Sequence, residues 1–326
     1  MPTALTRLRK RRVLAAAVEA VVGTPETLDA GDAVMNVFDA DMQPGGEFHE
    51  RPGQAGFGPL PGVVGARVGT LTFAVELHGS GTAESDGGES VPTWAKMLLP
   101  ACGVIQTGAT SPIFHVSSTS PSDGATALAV RTLTMGLYTD GVLKRIHGAM
   151  GTCVIRCVNG QPVRLEFTFT GAWDAPTDVA LLAPTYPTVI PPRWGGGAFT
   201  LDSYALVAGE LSVDLGNEVV MRPDAAQAAG LATAIITGRR ILGTVNPESR
   251  LVAERDNYGI WLAGTEGALS VVVGATAGNK CTLGAPKAQV SNIQEIDRDG
   301  VQAEELTLQF NRSAAAGDDE FTMTFG

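Results

Sequence analysis

The side chains that could do chemistry in this 326-residue chain are few, and their spacing argues against most of it. His147 beside Arg145 is the nearest approach to a poised general base, but a histidine on an exposed strand accounts for the pair more simply. Glu304 and Glu305 are adjacent, so on a strand they point to opposite faces and cannot act as an acid–base pair. Asp318-Asp319 follows a run of small residues and reads as a solvated loop. A glycan hydrolase needs two carboxylates ~5–10 Å apart in a cleft, and no pair is singled out. Asp297-Arg298-Asp299-Gly300 holds only a fragment of a calcium-loop pattern, and a hairpin turn explains it. His49-Glu50 is followed by no second histidine at helical spacing, so it is not a zinc-protease helix. Dinucleotide-binding, phosphate-loop and nucleophile-elbow patterns are absent.

The four cysteines fit the same picture. Cys153 and Cys157 would share one face of a strand, while Cys102 and Cys281 lie apart, with no histidine beside any of them. That is neither a disulfide scaffold nor a metal-ligand set, and it predicts buried free thiols in a protein assembled in a reducing cytoplasm. The chain is read as a non-enzyme, with no catalytic residue, metal or cofactor.

The elements that carry these residues follow from periodicity. Forty glycines, nineteen prolines and repeated Thr/Val alternation favour a β-rich chain long enough for two cores. From Gly69 to His78, Leu71, Phe73, Val75 and Leu77 alternate with Thr70, Thr72, Ala74 and Glu76, which predicts a half-buried strand. A Gly/Ser break and the loop residues Glu84 to Gly88 follow. Pro92 then opens a short helix through Trp94, Met97, Leu98 and Ala101, stopped by Pro100 and Gly103. A similar order recurs later: alternation over Gly230 to Leu242, a break over Gly243 to Glu248, and a helix from Leu251 to Leu262 through Leu251, Tyr258, Trp261 and Leu262. Trp94 and Trp261 become matching core anchors of an internal repeat.

Strands are also predicted over 33–42, 111–118, 127–139, 142–147, 151–158 and 163–170, with Val163, Leu165, Phe167 and Phe169 facing a core. Asp140-Gly141 and Asn159-Gly160 supply the hairpin turns between them. The Pro/Gly-rich stretch 50–61 reads as an extended loop, expected with part of 82–90 to order only on assembly. In the second half, strands are predicted over 206–215, 230–242, 268–274, 289–296, 301–310 and 321–325, with a turn at Asp299-Gly300. The fold class is mainly β. Two similar antiparallel barrel or sandwich domains, 25–173 and 198–326, each carry one short flanking helix and are joined by a Pro/Gly-rich linker at 174–197.

Charge is unevenly spread. Arg7, Arg9, Lys10, Arg11 and Arg12 make residues 1–24 a basic arm, and removing these five from the net −11 leaves a body at −16. The apolar part of this arm, Val13 to Val22, is short and interrupted by Glu19, so it is read as an arm or amphipathic helix docking on a neighbour, not a signal peptide. No apolar run reaches the ~18 residues that cross a bilayer. An acidic body is the reverse of a nucleic-acid-binding surface, but it suits a protein that must not hold DNA.

Several segments resemble the major tail tube protein of long-tailed bacteriophages. They are Glu19 to Pro25; Leu77 to Thr82 with Trp94 to Gly103; Tyr138 to Gly141, Gly148 to Gly151 and Leu165 to Gly171; and Leu211 to Glu218 running into Ile236 to Arg239. Their order over most of the chain carries the resemblance. It implies a tube domain that assembles into rings, here trimeric with a pseudo-sixfold arrangement, stacked helically into a tube whose inner strands line a channel. It also implies a tape measure protein inside the tube, terminator and distal tail proteins at its ends, and a site in the virion tail. DNA would pass through without specific binding, and no membrane is involved. A terminator or distal tail component sharing the fold is the alternative.

The strands offer two polar faces for that channel. They carry Thr70, Thr72, Glu76, Arg164, Glu166 and Thr168 in the first half, and Thr233, Thr237, Arg239, Glu305, Thr307 and Gln309 in the second. These faces are either the outside of the protein or the lumen wall. In the second case Arg164 and Arg239 must be neutralised by neighbouring acids.

Overall fold

A computed structural model describes residues 6–34, 37–53, 56–83, 90–108, 111–124 and 127–326; the predicted loop at Glu84 to Gly88 lies outside them. The chain is mainly β and every strand pair is antiparallel. The first half holds β1 (Arg12–Val18), β2 (Val37–Arg51), β3 (Leu60–Glu76), α1 (Thr93–Leu98), β4 (Val104–Gln106), β5 (Ile113–Val116), β6 (Leu133–Thr139), β7 (Val142–Val158) and β8 (Arg164–Asp178). The second half holds β9 (Phe199–Leu201), β10 (Tyr204–Ala205), β11 (Ala208–Asp214), β12 (Asn217–Pro223), β13 (Leu231–Arg239) and β14 (Leu242–Pro247). It continues through α2 (Asn257–Ala263), β15 (Glu266–Val273), β16 (Cys281–Arg298), β17 (Val301–Phe310) and β18 (Thr322–Phe325).

The turn chemistry holds at both Asp-Gly pairs, whereas at Asn159-Gly160 only Gly160 takes positive φ, 78°, in a longer connection. Asp140-Gly141 and Asp299-Gly300 both take positive φ, 40° and 92° in the first pair and 53° and 85° in the second, the twist a two-residue hairpin needs. Leu71, Phe73, Val75 and Leu77 are buried, as are Val163, Leu165, Phe167 and Phe169 opposite them. The rings of Phe73, Phe167 and Phe169 stack at 5.4–5.9 Å between centroids.

Several predicted elements come out differently. Arg12–Val18 is neither arm nor helix but a strand against β6, because Val13 to Ala16 is apolar on both sides and both sides are covered. The stretch 50–61 is not an extended loop as a whole. β2 and β3 run on as one long hairpin, with Arg51 opposite Leu60. β8 continues through Asp178, and Pro176 is admitted at an irregularity of the ladder, where a missing N–H costs least. Gly230 to Leu242 is two strands, since the chain turns off at Arg240-Ile241. Gly243 to Pro247 is β14 and not a break. The second helix is only Asn257–Ala263, and Trp261 on it is 42% exposed, whereas Trp94 on α1 is 1% exposed.

Within a sixteen-stranded sheet, eight strands run side by side across both halves in the order β2-β3-β8-β7-β11-β14-β17-β16. β7 makes this possible by changing partners along its length. Val142 to Ala149 pairs with β6, and Val154 to Val158 pairs with β11. β12 and β13 form a separate hairpin. One apolar cluster under the sheet includes Leu71 and Phe167 from the first half together with Leu211, Leu283 and Leu306 from the second.

The last strand stitches the halves a second time. β18 pairs with β16 on one side and β5 on the other, and Phe325 meets the rings of Trp94 and Phe114 edge-on at about 6 Å. Phe325→Ala should therefore destabilise the whole fold by about 3–5 kcal/mol. Denaturant unfolding followed by far-UV and tryptophan signals should show both transitions shift together; a shift in only one would mean the halves unfold independently.

Candidate functional site

The feature that spans the chain is the outer face of this eight-strand run of the sheet. Because side chains alternate, the apolar set of each strand fills the core and the intervening set is left outside. Register aligns these outer residues across strands. Glu76, Arg164, Arg156, Ser212, Thr244, Thr307 and Asn292 stand side by side from β3 to β16. The next file runs Ala74, Glu166, Val154, Asp214, Leu242, Gln309 and Gln289. Asp41, Thr72, Thr168 and Thr152 form a third. Glu210 and Glu305 lie on the same side, by alternation with Ser212 and Thr307.

Nine of the twelve predicted wall residues fall on this face: Thr70, Thr72, Glu76, Arg164, Glu166, Thr168, Glu305, Thr307 and Gln309. Thr233, Thr237 and Arg239 do not, since they sit on the separate β12–β13 hairpin. Thr233 is buried, its hydroxyl donating to the Gly148 carbonyl at 3.1 Å. The Arg239 side chain is 8% exposed and held by Asp318 at 3.2 Å and Glu320 at 3.4 Å. Asp318 is consequently a partner of Arg239 and of the Ser118 hydroxyl at 2.5 Å, not a merely solvated loop residue.

The face has more residues than the sequence reading found. Thr152 and Arg156 were one step from view, because Cys153 and Cys157 had already been assigned to the opposite side of their strand. Thr244 and Asn246 were hidden by reading their strand as a break. Asp214 and Ser212 carried no signal until β11 was placed beside β7.

Acids dominate the face, and Arg298, on the side of Asn292 by alternation, pairs with Glu248 at 2.7 Å. Arg164 forms no ion pair among the described residues and so is not neutralised as a channel wall would require. Arg156 pairs with Glu166 at 2.7 Å, and the Arg164 guanidinium lies 5.0 Å over the ring of Phe38. The basic arm is engaged on its own chain. Arg7 donates to the Thr139 carbonyl at 2.7 Å, Arg11 meets Asp140 at 2.8 Å, Arg12 donates to the Ala40 carbonyl, and Arg9 approaches Asp41 at 4.0 Å. Lys10 beside them is exposed.

The remaining ionisable clusters are structural. His147 is not free on an exposed strand; its Nδ1 and the Arg145 Nε share one oxygen of Asp174, at 3.2 and 2.7 Å. Glu19, fully buried, accepts from the Thr132 and Thr134 hydroxyls and the Gly23 and Gly148 amides at 2.6–2.9 Å. All four cysteines are buried and free, and burial pushes the Cys157 thiol up to about 12. Among the described residues, no group of three or more His, Cys, Asp or Glu side chains is placed to hold a metal. No protein-family model and no curated protein matches the chain.

Two of these carboxylates make stability depend on pH. Burial pushes Asp318 up, but its bonds from Ser118 and the charge of Arg239 outweigh that and hold it below the ordinary 3.8. Asp174 is depressed in the same way, burial being outweighed by His147 and Arg145. A folded value below the unfolded one contributes stability that is complete above the unfolded pKa and lost as pH falls through the folded one. The melting temperature should drop on acidification below about 4. The deficit of Asp318→Asn relative to the wild type should be largest at neutral pH and shrink toward pH 2. A constant deficit across that range in calorimetry would remove Asp318 from this role.

Proposed function

We propose that this chain is a structural subunit that polymerises as stacked rings into the tail tube of a long-tailed bacteriophage, with the polar sheet face as the wall of the DNA channel. One observation carries the reading: the strand order is the same in both halves. In the first half the order is β1-β6-β7-β8-β3-β2; in the second it is β9-β15-β16-β17-β14-β11. Numbered by position in the chain, with β4 and β5 set aside in the first half and β10, β12, β13 and β18 in the second, each is first, fourth, fifth, sixth, third, second. The helix follows the third strand in both, and both stretches end on a left-handed glycine, Gly103 at φ 69° and Gly264 at φ 63°. A duplicated domain is the simplest source of such a match. On this reading β1 belongs to the first copy, and the linker begins after Asp178.

A duplicated subunit suits a trimeric ring with six domains about its axis. Each chain brings eight strands to one sheet, with the polar files of both copies on the same side. Thr and Gln give that side a wet surface, and carboxylates repel phosphate, so DNA slides instead of binding. Partners on this reading are other copies of the chain, a tape measure protein within, and terminator and distal tail proteins at the ends. The working place is the virion tail.

Electron microscopy of the purified protein is the direct test. Tubes with a central channel are the expected result; single rings that cap but never stack would point instead to a terminator or distal component. The lumen assignment is tested by Glu76→Lys, Glu210→Lys and Glu305→Lys together. Tails carrying them should assemble normally yet eject DNA at least tenfold more slowly at low salt, with recovery as salt screens the wall. Normal ejection from assembled mutant tails would place the channel on another surface.

A further inference from the structure

At one end of the polar face, three side chains from three strand segments have the parts of a bond-forming site. Lys287 and Asn311 continue the β16–β17 ladder one step past Ala288 and Phe310, the Asn311 amide donating to the Lys287 carbonyl at 2.8 Å. Opposed positions of this kind set their β-carbons about 4.5–5.5 Å apart, within reach of a lysine's four-carbon stem. Ala288 and Phe310 are buried on the core side, so Lys287 and Asn311 stand on the polar side with Gln289 and Gln309. Glu266 on β15 joins them there, opposite Gln289.

The three side chains meet on one carboxylate. Lys287 Nζ lies 3.1 Å from Glu266 Oε2, and Asn311 Nδ2 donates to Glu266 Oε1 at 2.8 Å. The same Nδ2 also donates to Gln289 Oε1 at 3.0 Å. Asn311 Oδ1 accepts from Gln309 Nε2 at 2.9 Å, and Arg240 in turn donates to Gln309 Oε1 at 3.2 Å. A nucleophile, an amide to be attacked, a proton carrier between them and a donor on the oxygen where charge would develop are therefore assembled in one place. Bonds from Asn311 and Lys287 hold the Glu266 carboxyl below its ordinary 4.5, which keeps it ionised at neutral pH and able to take a proton.

We propose that Lys287 and Asn311 form an intramolecular isopeptide bond, with Glu266 carrying the proton. Lys287 Nζ gives one proton to Glu266 and attacks Asn311 Cγ, while Gln309 meets the charge on Oδ1. The Cγ–Nδ2 bond then breaks. The departing nitrogen takes the proton from Glu266 and a second from Nζ, and leaves as ammonium with Glu266 ionised again. One amide replaces another, so atoms, charge and electrons balance without a co-reactant. Proximity supplies the rate, since groups held in this way react at effective concentrations of up to ~10⁵–10⁸ M. Lys287 and Glu266 are 40% and 33% exposed, which gives the ammonium a path to solvent. The bond ties β16 covalently to the segment after β17. It also replaces the Lys287 charge with a neutral amide and leaves Glu266 as an unpaired acid, which on the proposed channel wall removes a cation that would hold phosphate. That consequence rests on the channel reading; the bond itself does not.

Mass spectrometry of the full chain, purified in its assembled state, tests the proposal. The intact protein should be lighter than its sequence by one ammonia, and a digest should give a branched peptide joining Lys287 to Asn311. Lys287→Arg should have its full sequence mass. Glu266→Gln should leave at most about one-tenth of the chains linked, with an unchanged far-UV spectrum showing that it folds. Ammonia lost from Lys287→Arg as well would mark closure of Asn311 onto its own backbone and overturn the proposal. Linkage undiminished in Glu266→Gln would overturn the role of Glu266. Tubes built from chains of full mass would overturn the bond and leave the tube reading standing. The branched peptide from a protein that forms no tube would support the bond and remove the tube.

Discussion

Everything in this fold depends on one ladder, the five residues of β11 laid against the outer end of β7. Without it each half would expose an unpaired edge in the middle of the molecule, with buried amides and carbonyls left wanting. With it, two sets of strands become a single sheet and their apolar faces a single cluster. The ladder exists because β7 is long and irregular. Its register shifts between His147 and Met150, so its first part serves β6 and its last part is free to serve β11. Arg145, His147 and Asp174 lie on the short paired stretch between this shift and the one before Arg145, and their side-chain bonds reinforce the two strands there.

Around that seam the chain places its strongest side-chain contacts. Trp94, Phe114 and Phe325 join helix, strand and C-terminus in one aromatic knot, worth about 0.5–1.5 kcal/mol per ring pair beyond the area buried. Arg239 is nearly buried, and its bonds to Asp318 and to the Ser117 carbonyl tie β13 to loops from both halves. Removing either charge would strand the other in low dielectric, so the pair fixes geometry more than it adds net stability. Glu19, bonded to four donors, does the same at the corner after β1.

The polar face is the other consequence of a continuous sheet. Each strand alone is an ordinary amphipathic strand, with nothing to distinguish its outer residues from any solvated surface. Aligned across the seam they become a surface of hydroxyls, amides and carboxylates in which Arg156 is paired and Arg164 is covered by Phe38. The proposed channel wall is a property of this alignment, not of any single strand.

Much of this was legible in the residues. Alternation around Phe73 and Phe167, the Asp-Gly turns, the short helix from Trp94 to Gly103 and the buried thiols all follow from local pattern, because period-two burial and left-handed turns are set within a few residues. The outer face of β3, β8 and β17 followed from the same alternation. What local pattern could not decide was anything that depends on a distant partner. Arg12–Val18 reads as a loose basic-apolar arm until β6 covers one side of it. Thr233 and Arg239 read as a solvent face until β12–β13 folds onto the first half and buries them. Trp261 reads as the equal of Trp94, yet only Trp94 has Phe325 to pack on. In each case the sequence determined which residues could be buried, and the tertiary structure alone decided which were, because burial is conferred by whatever strand arrives on the other side.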